Sequence, residues 1–263
     1  MINMAKTSGK INKQKEMERK KRKKRKATLV ITTIILVVGA ICAYLVTSPS
    51  FNIQGITVKG NTLLSNQQIM KLAEMKIGDN IFSKIGIVTK VKLKQNRYIE
   101  DATISKIYPN TIEIEIVERK RQFQIKTEEE GYIYIDEQGY ILEYGVDKLE
   151  IPIIIGMGMK KTDIETKHRL DEKNLNKMEN ILQIREQFKN IEIADKITQY
   201  HVENEYIVGL ENDGITINFG DASNLKNRMY YVNGILKQEV GNRGTIYVNG
   251  NFNEGFSAYF SAQ

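Results

Sequence analysis

The sequence predicts an α+β protein with one N-terminal transmembrane helix, a small β-α-α-β-β domain, and a larger, mostly antiparallel β domain with two helices. Three features predict it. Residues 27–47, ATLVITTIILVVGAICAYLVT, carry no charge and no proline. Beyond them, apolar residues alternate with polar ones in short stretches, TIEIEIVE at 111–118 being the clearest. Between those stretches lie a few runs with helical spacing and capping residues.

Residues 27–47 match the roughly 20 apolar residues that a bilayer's hydrocarbon layer requires of a helix. A cleaved signal peptide has a shorter apolar core and a shorter basic lead. Val46-Thr47-Ser48 loosely resembles a cleavage site, but Pro49 stands where a cut chain would begin. Cys42 would suit a lipoprotein signal, yet Ile41 occupies the place of a small residue. An uncleaved anchor is the expectation.

Residues 1–26 form a basic tail in which twelve Lys or Arg stand against Glu16 and Glu18. Lys and Arg flanking a span are retained in the cytoplasm, which predicts a cytoplasmic N-terminus and an extracellular bulk. The whole chain has 39 basic and 32 acidic residues, so setting the tail aside leaves 27 against 30. The basic character therefore belongs to the tail, whose topological role and attraction to anionic lipid argue against nucleic acid as a partner. The tail is expected to be disordered or loosely helical. Cys42, in the span, is the only cysteine, so no disulfide staples the outer part. That is compatible with the outer face of a Gram-positive membrane.

Residues 49–263 suit one large or two small domains. The first, at 50–119, opens with a strand over 51–59 that ends at the Gly60-Asn61 turn. Ser65 and Gln68 have capping-box spacing, with Ile69, Leu72 and Ala73 on one helical face and Gly78 at its stop. A second helix runs to Asn96, with Ile85, Val88 and Lys92 on one side and Ile87 and Val91 nearby. Strands over 102–107 and 111–118 flank the turn Tyr108-Pro109-Asn110. Ile112, Ile114 and Ile116 point one way, while Glu113 and Glu115 are ordinary solvated surface.

The second domain, at 120–263, has strands over 122–126, 132–136 and 140–144, with Asp136-Glu137-Gln138-Gly139 as a hairpin turn. Residues 151–156 form an apolar strand whose Pro152 suits an edge. Gly156 to Lys160 lacks P-loop spacing and reads as a flexible connection. Residues 171–188 form a helix with Leu175, Met178, Ile181, Leu182 and Arg185 along one stripe. Strands follow over 197–202, 206–210 and 215–219, the last two joined by Asn212-Asp213-Gly214. A helix over 224–240 aligns Leu225, Met229, Val232 and Leu236, and strands over 244–248 and 256–260 close the chain.

The ordered set of a basic tail, one span, Val58-Lys59-Gly60-Asn61, Gly78-Asp79-Asn80-Ile81-Phe82, Tyr108-Pro109-Asn110-Thr111 and Val117-Glu118-Arg119 resembles the bacterial division family FtsQ/DivIB. The first outer domain resembles a POTRA domain. The run from Gly131 to Leu142, Ile151-Pro152-Ile153-Ile154-Ile155-Gly156, Phe219-Gly220 and Ile246-Tyr247-Val248-Asn249 resemble the family's β domain, although Phe219 stands where a leucine is usual. Residues 157–170 have no counterpart. The resemblance implies a non-enzymatic septal scaffold that binds small bitopic coiled-coil division proteins, of the FtsB/DivIC and FtsL type, through its last strands. The implied surface is Tyr247, Val248, Asn249, Asn251, Phe252, Gly255, Phe256, Ser257, Ala258 and Tyr259, with Tyr247, Phe252 and Tyr259 as aromatic anchors.

The search for chemistry returns little. His168 and His201 are the only histidines and lie far apart in sequence. No nucleophile elbow or Ser-x-x-Lys arrangement occurs, and no catalytic residue, metal, cofactor or small-molecule substrate is expected. Two other readings stay open: a cell-wall hydrolase or transferase with an unrecognised carboxylate pair, and a POTRA-type component of polypeptide transport. The second lacks a barrel-like series of alternating segments.

Overall fold

The computed structural model describes residues 2–83, 86–210 and 214–263, with side chains from residue 19 onward. Helix α1, Ile2–Thr47, is continuous through the basic tail and the apolar run. The tail is thus helical rather than disordered, as its Lys, Arg, Glu and Met content favours. Within the apolar run Leu29, Ile35, Leu36 and Ile41 are all more than half exposed, so this is no core helix. The hydroxyls of Thr28, Thr32, Thr33 and Thr47 donate to carbonyls four residues back, so these four hydroxyls are satisfied within the helix.

The chain forms two compact units, Met1–Leu93 with Ala102–Ile116, and Lys94–Asp101 with Val117–Gln263. In the first, a 3-10 turn at Pro49–Phe51 precedes β1, Gly55–Lys59. The strand starts later than predicted because Ile53 is engaged elsewhere, its N–H donating to Asp79 O and its carbonyl accepting from Gly78 N–H. Helix α2, Asn66–Leu72, begins at the expected capping box: Gln68 N–H donates to Ser65 Oγ, and Ser65 N–H to Gln68 Oε1. Helix α3, Gly86–Leu93, turns its Thr89–Leu93 side inward and leaves Ile87, Val88 and Val91 exposed. That reverses the predicted face; Thr89 and Leu93, four apart, share the side that meets the core. Strands β2, Ile99–Ile107, and β3, Thr111–Glu118, complete a sheet ordered β1-β3-β2, with β1 parallel to β3. Ile112, Ile114 and Ile116 are buried, and Glu113 on the other face pairs with Lys59 across β1.

The second unit is built on a nine-stranded sheet. Its strands are β4, Phe123–Lys126; β5, Tyr132–Ile135; β6, Ile141–Gly145; β7, Ile153–Ile155; β8, Ile197–His201; β9, Tyr206–Leu210; β10, Ile215–Gly220; β11, Gly244–Tyr247; and β12, Tyr259–Ala262. They are ordered β12-β11-β10-β9-β8-β7-β4-β5-β6. Most neighbours are antiparallel, but β4–β7, β7–β8 and β10–β11 are parallel. Helices α5, Glu172–Lys189, and α6, Leu225–Gln238, contribute Met178, Ile181, Ile184, Phe188, Met229 and Val232 to the core beneath it. The short α4, Asp163–Thr166, lies in the connection before α5.

Four expectations are corrected here. β7 lies inside the sheet, between β4 and β8, not at an edge; Pro152 just precedes the strand and needs no donor, since only its carbonyl is used, by Gln124 N–H. The connection at 156–160 is packed rather than flexible, with Met157 and Met159 buried in the core. Asp136 is not merely a hairpin tip. It is buried, accepts from Gln138 and Tyr140 N–H, and pairs with buried Arg119. The last strand starts at Tyr259, so Phe256, Ser257 and Ala258 lie in the loop before it. The turn predicted at Asn212-Asp213-Gly214, and Ile85 of the second helix, fall wholly or partly outside the described residues.

Candidate functional site

One end of the nine-stranded sheet is formed by β12, which among the described residues pairs antiparallel with β11 alone. Gln263 N–H donates to Arg243 O at 3.0 Å. Alternation along the strand then turns the N–H groups of Tyr259 and Ser261 toward β11, and those of Phe260 and Ala262 away from it. Residues 257–263, SAYFSAQ, carry neither charge nor proline, the usual devices that blunt an edge. Gly244 is required opposite it: a Cβ there would stand 2.2 Å from Ser261 O.

Arg228 of α6 organises the loop between β11 and β12. Its side chain is almost fully buried, and every face is used. Nε donates to Ser223 O at 2.8 Å, Nη1 to Val248 O and, at 3.0 Å, to Gly250 O, and Nη2 to Asp221 Oδ1 at 3.1 Å. A planar five-donor fork is the side chain that can satisfy this many acceptors from one buried position. The Phe252 and Phe256 rings lie 5.4 and 6.0 Å from the guanidinium and stack on each other at 4.0 Å. Hydrogen bonds from Ser223 hydroxyl and N–H, then Arg228, hold the Asp221 carboxyl below its usual range. A carboxylate lowered on folding stabilises above its unfolded pKa, and that support fades as pH falls through the folded value.

The expected surface residues fall into three places. Tyr247 and Tyr259 face each other across β11 and β12 with rings stacked at 4.9 Å. Phe252 and Phe256 form the stacked pair in the loop, while Asn249, Asn251, Gly255 and Ser257 are exposed and Ala258 is half-buried. Val248 is fully buried in the core and offers no side chain to a partner. Two aromatics were missed. Tyr230 and Tyr231 of α6 are 77% and 42% exposed, and the Tyr231 ring is 5.0 Å from Phe256. Their signal in the sequence is that both lie off the helix's apolar stripe. Among the described residues no group of three or more His, Cys, Asp or Glu is placed to hold a metal ion.

These features define a class: a POTRA unit following an N-terminal apolar helix, with a second, larger β unit. Residues 51–119 match the family described as "POTRA domain, FtsQ-type". The chain is 30% identical to "Cell division protein DivIB" of Clostridium tetani over 210 residues, 78% of this chain and 77% of that protein. It is also 30% identical to "Cell division protein DivIB" of Clostridium acetobutylicum over 149 residues, 56% of this chain and 59% of the relative. With "Cell division protein FtsQ" of Bradyrhizobium diazoefficiens it shares 29% over 113 residues, 42% of this chain and 33% of that one. The chain belongs to the DivIB/FtsQ family of cell-division proteins, and its role is in cell division.

Proposed function

We propose that the chain is a non-enzymatic septal scaffold whose β12 edge takes up a strand from a small bitopic coiled-coil division protein, of the FtsB/DivIC or FtsL type. Residues 1–26 lie in the cytoplasm, 27–47 cross the membrane, and 50–119 and 120–263 are two modules outside it. The observation that carries the reading is the open, uncharged β12 edge, with outward N–H groups at Phe260 and Ala262. Main-chain bonds along such an edge supply affinity, and side-chain pockets beside it supply specificity. Here the rings beside the edge are Tyr247, Tyr259, Phe252, Phe256 and Tyr231, and aromatics dominate contact energies of this kind.

The test is capture of the partners' extracellular segments by the full chain in detergent, compared with Ala262→Pro. The substitution removes an outward N–H and no bond to β11. Capture should be lost while circular dichroism and Tm hold. Undiminished capture would place the interface elsewhere.

A further inference from the structure

The end of the apolar helix is bound to the first unit by a side chain as well as by chain continuity. The last four carbonyls of a helix lack intrahelical partners, and in lipid an unsatisfied carbonyl is costly. Here Ser48 N–H donates to Tyr44 O at 2.8 Å, and Asn80 Nδ2 donates to Leu45 O at 3.0 Å. Asn80 is held in place in turn. Its Oδ1 accepts from Phe82 N–H at 2.9 Å, and Ile81 N–H donates to Phe51 O at 2.9 Å. The loop around Asn80 is thereby zipped onto the residues that follow the helix. At about 1.5 Å rise per residue, residues 27–47 extend about 30 Å, the thickness of the hydrocarbon layer. Leu45 O then lies near that layer's outer boundary, and a group bonded to it lies among the headgroups.

The side chains around Asn80 suit that depth. Phe51 and Phe82 meet edge to face at 5.1 Å, and Phe82 stacks on Tyr108 at 5.6 Å. Lys106 Nζ stands 6.0 Å from the centre of the Phe82 ring. Tyr108 is 58% exposed although the cluster has apolar neighbours to offer it. Rings with a polar tip, and lysines with an apolar stem, are the side chains that partition to the membrane interface. We infer that Phe51, Phe82, Tyr108 and Lys106, locked to the helix end by Asn80, form an interfacial seat that beds the tip of the first unit in the phospholipid headgroups. The inference rests on the reading of residues 27–47 as a membrane span. It makes the first unit's depth and tilt at the membrane a built feature rather than the play of a tether.

The chain contains no tryptophan, so single substitutions supply unique fluorescent reporters. Tyr108→Trp and Phe82→Trp would be placed in the full chain, reconstituted in phosphatidylcholine vesicles carrying nitroxide labels at shallow or deep positions. Tyr230→Trp serves as the reference in water and Leu36→Trp as the reference in the hydrocarbon. The seat predicts blue-shifted emission, quenching by shallow labels, and iodide quenching several-fold weaker than for Tyr230→Trp. Tyr108→Trp, at an exposed position, keeps the test valid should Phe82→Trp fold poorly. Iodide quenching equal to that of Tyr230→Trp, with no effect of lipid labels, would overturn the seat alone if Leu36→Trp responds to deep labels. If Leu36→Trp does not respond either, the membrane span falls and the seat with it. Adding Asn80→Ala to Tyr108→Trp should raise iodide access, and no change would overturn the part given to Asn80.

Discussion

The two ends of the nine-stranded sheet are treated differently. At the β6 end the edge is covered. Ile141 N–H donates to His168 O, and Leu170 N–H to Gly139 O. Arg97 reaches in to donate to Ile141 O, Lys167 O and Ile164 O. Glu143 on β6 carries a charge, paired with Arg121. At the β12 end the sheet simply stops, on an uncharged strand with stacked tyrosines beside it. Natural sheets cover or charge the edges they do not use. A bare edge opposite a guarded one is what the proposed strand uptake at β12 requires.

That contrast can be broken from either side. The largest effect is expected at the root of the guarded end, where Arg119 and Asp136 form a buried pair and the Arg119 guanidinium lies 3.6 Å from the Tyr140 ring centre. Arg119→Ala strands a buried carboxylate that also holds the hairpin, and should cost about 3–5 kcal/mol in denaturant unfolding. Next comes Gly244→Ala at the bare end. Its Cβ would press on the backbone of β12, so a loss of about 1–3 kcal/mol is expected, together with loss of partner capture in the assay above. Capture surviving intact would separate binding from the β12 position.

Arg97→Ala removes a cation whose three carbonyl partners include one on the guarded strand; burial also holds this guanidinium's pKa below its usual value. Hydrogen bonds to a charged donor of this kind are worth about 1.5–3 kcal/mol. The sharper readout is sedimentation velocity, where the uncovered β6 edge should give more concentration-dependent self-association than the wild type shows in the same run. The smallest effect is expected in the core between the two ends. Among the described residues the buried Tyr200 hydroxyl has no hydrogen-bond partner, and burial raises its pKa. Tyr200→Phe should be neutral or stabilising by about 1 kcal/mol, and a clear loss in Tm would show that the hydroxyl has a partner.

Much of this was legible residue by residue. The strand at 111–118 stands where its alternation put it, because Ile112, Ile114 and Ile116 need only a core on one side. Ser65 and Gln68 cap α2 through contacts three residues apart, which depend on no other part of the chain. The site was less legible. Val248 reads like its neighbours in sequence yet is buried, since α6 and the sheet close over it. Arg228 looks like one more surface cation on an amphipathic helix. Only the return of the chain at Val248 and Gly250 surrounds it with carbonyls.

The sequence by itself determined the apolar span, the family, the number and kind of most elements, and the capping of α2. Those rest on composition and on contacts within one or two turns, which a window of residues contains. The tertiary structure alone decided which strands became edges, that β7 is central, which face of α3 is inside, and that Asp136 and Arg228 are buried. Edge, depth and ion pairing arise from chain segments far apart in sequence, and a local pattern does not specify which of them will meet.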